Sequence, residues 1–158
     1  MQKWPSKTHR SPVNHENDSC MRTCAKLLIY PQDLSHSDIT RFLGIEPTDG
    51  ANKGDQRTNR FGKVSVVPLT HWFLYSEPNV HSLDLRAHLD WLLGKLLPKV
   101  GVLRQLQQEP EIKMAVECVW ESKHGGGGPT LWPEQLWGLA ELNLELAMDF
   151  QYYNEDEG

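Results

Sequence analysis

Five leucines, Leu85, Leu89, Leu92, Leu93 and Leu96, recur at three- and four-residue steps in "LRAHLDWLLGKL", and this spacing limits the fold more than any other stretch. At 3.6 residues per turn they form one stripe, with Asp84, Arg86, Asp90 and Lys95 largely elsewhere. The pattern predicts an amphipathic helix capped at Ser82 and ended by Pro98. Such a stripe needs an apolar surface to lie on. Strands supply it. In "EIKMAVECVWES", Ile112, Met114, Val116, Cys118 and Trp120 alternate with Lys113, Ala115, Glu117, Val119 and Glu121, as in a half-buried strand. In "NLELAMDFQYY", Leu144, Leu146, Met148, Phe150 and Tyr152 alternate with Glu145, Ala147, Asp149, Gln151 and Tyr153.

The other elements follow from punctuation. "TCAKLLIY", residues 23–30, is an apolar run stopped by Pro31 and reads as a strand. In "LSHSDITRFLGIEPT", Ser35 or Ser37 can cap a helix whose stripe is Ile39, Phe42 and Leu43, with Gly44 at the stop and Pro47 beyond. Residues 49–63 lack periodicity and read as an exposed loop or irregular ribbon. "KVSVV" and "HWFLYS" are strand candidates separated by Pro68, and "VGVLRQLQQ" suits a short helix. "TLWPEQLWGLAEL" has a proline near its first turn and would turn Leu136, Leu139, Ala140 and Leu142 inward.

The order is therefore β-α-β-β-α-(α)-β-α-β. It describes an α+β single domain with a mostly antiparallel or mixed sheet and helices packed on one face. Residues 1–22 read as a flexible N-terminal extension, 23–153 as the domain and 154–158 as an acidic tail. The ends differ in charge: Lys3, Lys7, Arg10 and Arg22 face Glu16 and Asp18 at the start, while Glu155, Asp156 and Glu157 close the chain.

Sixteen basic and 21 acidic side chains give a net charge of −5, which argues against nucleic acid or an anionic membrane and for a basic protein as partner. No apolar run approaches the roughly 20 residues of a membrane span, and the polar start lacks a secretory segment, so a cytoplasmic location is expected. Cys20, Cys24 and Cys118 are an odd set and read as reduced thiols.

These residues carry a family resemblance. An initial strand, "DLSHSDITRFLGIEPT", "KGD", the aromatic strand "HWFLYS", "DLRAHLDWLLGKLLP" and a closing strand, glycine-rich loop, helix and strand resemble the bacterial domain of unknown function 4279 family over about residues 24–153. The resemblance implies a compact α/β domain in a soluble bacterial protein and brings no reaction or functional residue with it. Some small bacterial domains of this kind resemble immunity proteins encoded beside toxins, an analogy that ranks hypotheses.

Several constellations invite chemistry. "HGGGGPT" joins a strand to a helix, as a phosphate loop would, but lacks the Gly-Lys-Ser/Thr ending; a flexible connection is the preferred reading over an anion nest of glycine amides. Cys20 and Cys24 have a C-x₃-C spacing without a second pair, so no metal is expected. No cofactor fingerprint is present. Glu117, Glu121, Glu145 and Asp149 lie on the polar sides of two strands that could be neighbours, giving an acidic face for a basic protein, while Trp132 or Trp137 could anchor a partner. Imidazole exchanges protons near neutrality, so His71 and His88, with Lys53, Asp55 and Arg57 of the 49–63 loop, outline an alternative ligand cleft. His88 flanks the leucine stripe and reads more simply as a satisfied, partly buried histidine. The leading expectation is a non-enzymatic, immunity-like protein-binding module. A small enzyme or ligand binder at the His71 and His88 cleft is the alternative.

Overall fold

The structure, a computed structural model, describes residues 9–152. Lys3 and Lys7, Tyr153 and the acidic tail with Glu155, Asp156 and Glu157 lie outside the described residues. Seven strands and four α-helices follow in the order β1 (Cys20–Tyr30), α1 (His36–Leu43), β2 (Asp49–Ala51), β3 (Gln56–Thr58), β4 (Val64–Val66), β5 (His71–Tyr75), α2 (Leu85–Leu96), α3 (Val100–Leu106), β6 (Lys113–Ser122), α4 (Pro133–Glu141) and β7 (Leu146–Tyr152). A 3-10 turn, Leu97–Lys99, links α2 to α3 and holds Pro98 where an α-helix could not continue.

Five strands form one sheet in the order β2-β5-β1-β6-β7. All its neighbours are antiparallel except β6 and β7, which run parallel with α4 as the crossover. The fold is thus the expected α+β mixed sheet. The core shows why: Ala25, Leu27 and Ile29 of β1, Trp72 and Leu74 of β5, and Val116 and Cys118 of β6 are buried with the apolar residues of all four helices. Every alternate residue of the central strands therefore faces the helices, and among the described residues no helix covers the other face of the sheet.

The leucine stripe lies against that core, with Leu85, Leu89, Leu92 and Leu96 fully buried. Its cap differs from the expected Ser82. Asp84 is the N-cap and accepts from the Arg86 amide at 3.0 Å, while Ser82 Oγ accepts from the Asp84 amide at 3.1 Å. The carboxylate also takes two bonds and the charge of the Arg86 guanidinium, from Nε and Nη2, which a single hydroxyl could not.

In α1, Ser35 is the cap and Asp38 returns a bond to the Ser35 amide, a capping box. Gly44 ends the helix at φ +66°, the left-handed value that favours glycine. Ile39 and Leu43 are buried, but Phe42 is 42% exposed, so the expected stripe is narrower by one residue. In α4 the inward residues are Gln135, Gly138 and Leu139, followed by Leu142; Leu136 and Ala140 face out. Gly138 lets α4 approach α2, since a Cβ there would meet the Leu93 side chain at 3.2 Å.

The stretch read as a loop contains two short strands. β2 is an edge of the main sheet, and β3 pairs with β4 in a separate hairpin whose turn is held by the Asn59 carboxamide, accepting from Phe61 and Lys63 amides. Three-residue strands without apolar alternation leave no periodic signal. Residues 10–15 run beside α2 and α4 through polar contacts. Arg86 donates to the Ser11 and Pro12 carbonyls, Asp84 accepts from the Asn14 amide, and Trp132 Nε1 donates to Ser11.

Candidate functional site

Because β5 buries Trp72 and Leu74, it turns His71, Phe73 and Tyr75 to the face without helices. The register sets Tyr75 opposite Lys26 and Phe73 opposite Leu28; on the other side of β1, Lys26 meets Glu117. The result is an aromatic ladder at one side of the sheet and acidic side chains at the other.

The ladder is well packed. The His71 and Phe73 rings stack with centroids 4.5 Å apart, Phe73 and Tyr75 at 6.2 Å, and Tyr30 meets Phe73 edge-on at 5.4 Å. Lys26 Nζ lies 5.3 Å over the Tyr75 ring and 3.6 Å from Glu117. Burial, together with the Asp49 charge, pushes the Tyr75 phenol above its ordinary value.

Asp49 of β2 closes the ladder. Arg57 Nη2 donates to its Oδ1 at 2.6 Å and reaches the Gly50 carbonyl at 3.5 Å. His71 Nε2 lies 3.3 Å from the same Oδ1, without the alignment of a hydrogen bond, and is a buried nitrogen with no other partner. Its Nδ1 donates to the Leu69 carbonyl at 3.0 Å, which leaves Nε2 facing the Asp49 carboxylate. Burial would raise the Asp49 carboxyl, but the Arg57 and His71 contacts outweigh it and hold the carboxyl below its ordinary value. No hydroxyl or thiol among the described residues hydrogen-bonds to His71.

Glu117, Glu121 and Asp149 share this face, and Glu145 borders a hollow beside α4 with Ala140 and Asn143. Glu117 pairs with Lys26; Asp149 lies beside Val119 and accepts from Gln151 Nε2 at 2.9 Å; Glu121 lies beside Gln151. Glu145 precedes β7, its carbonyl accepting from the Val116 amide. Among the described residues Glu121 and Glu145 make no ion pair. The two tryptophans are not brought to them. Trp132 caps α4 in the helix layer, under the Arg86 guanidinium at 5.1 Å, and Trp137 is half-buried on α4.

The alternative cleft is likewise divided. His71 and Arg57 meet at Asp49, and Lys53 and Asp55 sit in the exposed turn before β3, where the Lys53 amide donates to Thr70 and Asp55 accepts from the Asn52 amide. His88 lies on the helix side of the sheet, 1% exposed, with Nδ1 2.7 Å from Ser76 Oγ and Nε2 2.8 Å from the Ser82 carbonyl. Nε2 therefore donates, Ser76 donates to Nδ1, and Ser76 Oγ accepts from the Ala25 amide at 2.9 Å. The buried Ser–His contact is a structural chain. Its serine is fully buried, out of a substrate's reach.

Burial pushes the Cys20 and Cys24 thiols up to about 11 and Cys118 up to about 12, away from nucleophilic thiolates. Among the described residues, no group of three or more His, Cys, Asp or Glu could hold a metal ion. In the glycine run, Gly125 and Gly127 have φ +77°, and a Cβ would lie 3.2 Å from the Tyr152 ring at the first and 2.8 Å from Ser19 Oγ at the second. The run is exposed but touches Tyr152 and Ser19 at those two glycines, and Ser122 Oγ donates to the Gly126 carbonyl. The sequence reading missed Asp49, Tyr30, Phe73 and Tyr75. The alternation in "HWFLYS" held the signal for the last two.

The order of the sheet, with helices on one face and a ladder of rings and acids on the other, defines an open-faced α+β domain. Residues 20–153 match the model of the family described as Domain of unknown function (DUF4279), and the chain belongs to that family. Comparisons with curated proteins and with solved structures give no match.

Proposed function

We propose that the protein is a non-enzymatic, immunity-like binding module that holds a basic protein partner on the uncovered face of its sheet. The observation that carries this reading is the joining of packed aromatic rings to the acids Glu121 and Asp149, which make no ion pair among the described residues, on the face opposite the helices. Rings supply apolar area at small entropic cost, and the acids favour a cationic surface. The chain's charge of −5 acts in the same direction at longer range.

The test is to co-purify the protein with the product of the adjacent gene and measure affinity for Glu121→Lys/Asp149→Lys and Phe73→Ser. Each is expected to weaken binding at least about tenfold, a change of about 1.4 kcal/mol. Trp137→Ala should bind as the parent does. Equal binding by all variants, or repeated pairing of the gene with metabolic genes, would sink the reading.

The pair of His71 and Asp49 favours a second reading, a small anionic ligand or an acid–base role at β2 and β5. Titration with phosphate and with acetate, followed by the His71 ring signals, separates the two. Saturable shifts lost in Arg57→Gln support the ligand reading, and unmoved signals remove it.

A further inference from the structure

A second concavity lies away from the sheet face, at the end where β1 leaves the sheet and β6 enters it. It is a half-open cleft of about 480 Å³, within the range of small-molecule sites. Leu34, Phe42, Val102, Leu106 and Ile112 make its walls apolar. The position of Phe42 here explains its absence from the α1 stripe: it faces α3 across the cleft instead of entering the core.

The charged lining has one sign. Its charged members, Asp33, Glu109 and Glu111, are all exposed, Gln32 and Gln105 are neutral, and no lysine, arginine or histidine among the described residues lines the cleft. The nearby cations of known engagement are turned elsewhere, Arg41 to Asp38 and Arg104 to Glu141. The three carboxylates make no hydrogen bond or ion pair among the described residues. A cation held beside these carboxylates would gain their attraction while its carbon body covers the apolar walls.

We infer that this cleft is a binding site for a small organic cation, an amine carried on an apolar body. Four chain segments wall it: the turn after β1, α1, α3 and the turn before β6. That enclosure suits a compact molecule better than an extended chain. The ammonium would donate to the carboxylates of Asp33, Glu109 and Glu111, and the ring or alkyl body would rest on Phe42, Val102 and Leu106. Neutral and anionic analogues of the same shape gain the walls but lose the charge. The inference is independent of any partner on the sheet face.

A charge series of one shape tests it: 4-phenylbutylamine, 4-phenylbutanol and 4-phenylbutyrate, titrated into the full chain and followed by amide NMR and calorimetry. The amine is expected to bind tightest, at least about tenfold over the alcohol, with shifts at residues 31–34, 102–106 and 109–112. Glu109→Gln/Glu111→Gln, at exposed positions, should bring amine and alcohol within about threefold of each other. Val102→Trp, which fills the cleft, should abolish both, with circular dichroism confirming the fold. Equal affinity across the series, shifts outside the cleft, or an unchanged preference in the double variant would overturn the inference. So would tighter binding of an end-capped Phe-Lys peptide than of 4-phenylbutylamine, which would assign the cleft to a protein side chain.

Discussion

Arg86 shows how much of this molecule rests on a few polar side chains. It is 5% exposed, and all five of its N–H donors have acceptors: Asp84 twice, Ser11 through carbonyl and hydroxyl, and the Pro12 carbonyl. Removing the carboxylate strands a buried charge, so Asp84→Ala is expected to cost about 3–5 kcal/mol in urea unfolding. A loss below about 1 kcal/mol would show that water reaches the guanidinium. Burial alone would raise the Asp84 carboxyl, but Arg86 and the amides of Asn14 and Arg86 hold it below its ordinary value. Its stabilisation is present above the unfolded value of about 3.9 and is lost as pH falls through the folded one.

His88 acts at milder acidity. Burial lowers its folded pKa, so the unfolded chain takes up the proton first as pH falls below its ordinary value of 6.5. The contribution is complete above that pH and lost below it. Thermal midpoints measured from pH 7 to pH 5 should fall for the parent, with a shallower slope in His88→Gln; equal slopes would refute the assignment. The sequence placed His88 correctly beside the leucine stripe. It could not show Asp84 and Arg86 as a buried pair, because their partners at Ser11, Pro12 and Asn14 come from 70 or more residues away, far beyond any helical period.

At the scale of elements, what the sequence revealed follows from length and period. α2 was readable because twelve residues repeat the stripe more than three times, and β6 because ten residues alternate. β2 and β3 are three residues each and carry polar or small side chains, so neither period can appear, and the sheet edge that presents Asp49 stayed hidden. The same physics grades the helices. Leu89 is fully buried in the centre of α2, and Leu89→Ala is expected to cost about 2–5 kcal/mol, depending on how far the core collapses. Phe42→Ala, on the half-open cleft, should cost much less, about 1 kcal/mol. If the two losses are equal by chemical denaturation, Phe42 belongs to the core and the cleft is closed in solution.

At the scale of the whole molecule, the beginning of the chain joins elements that the sheet does not. Ser11 bonds both Arg86 of α2 and Trp132 at the start of α4, Asn14 caps Asp84 from outside, and the Leu83 amide donates to the His15 carbonyl. These bonds exchange for water when the segment leaves, so their net worth is about 0.5–1.5 kcal/mol apiece. Deleting residues 1–16 is therefore expected to lower stability by about 2 kcal/mol or more while preserving the sheet. The segment and Asp84 act on one guanidinium, which makes their effects interdependent. With Arg86 already lacking its carboxylate, the deletion removes contacts from a side chain that has moved toward solvent. Combined deletion and Asp84→Ala should then cost less than the two separate losses together, by about 1 kcal/mol or more. Strict additivity in urea titrations would mean that the segment binds α2 and α4 independently of the buried pair, and Arg86 would lose its place as the link between them.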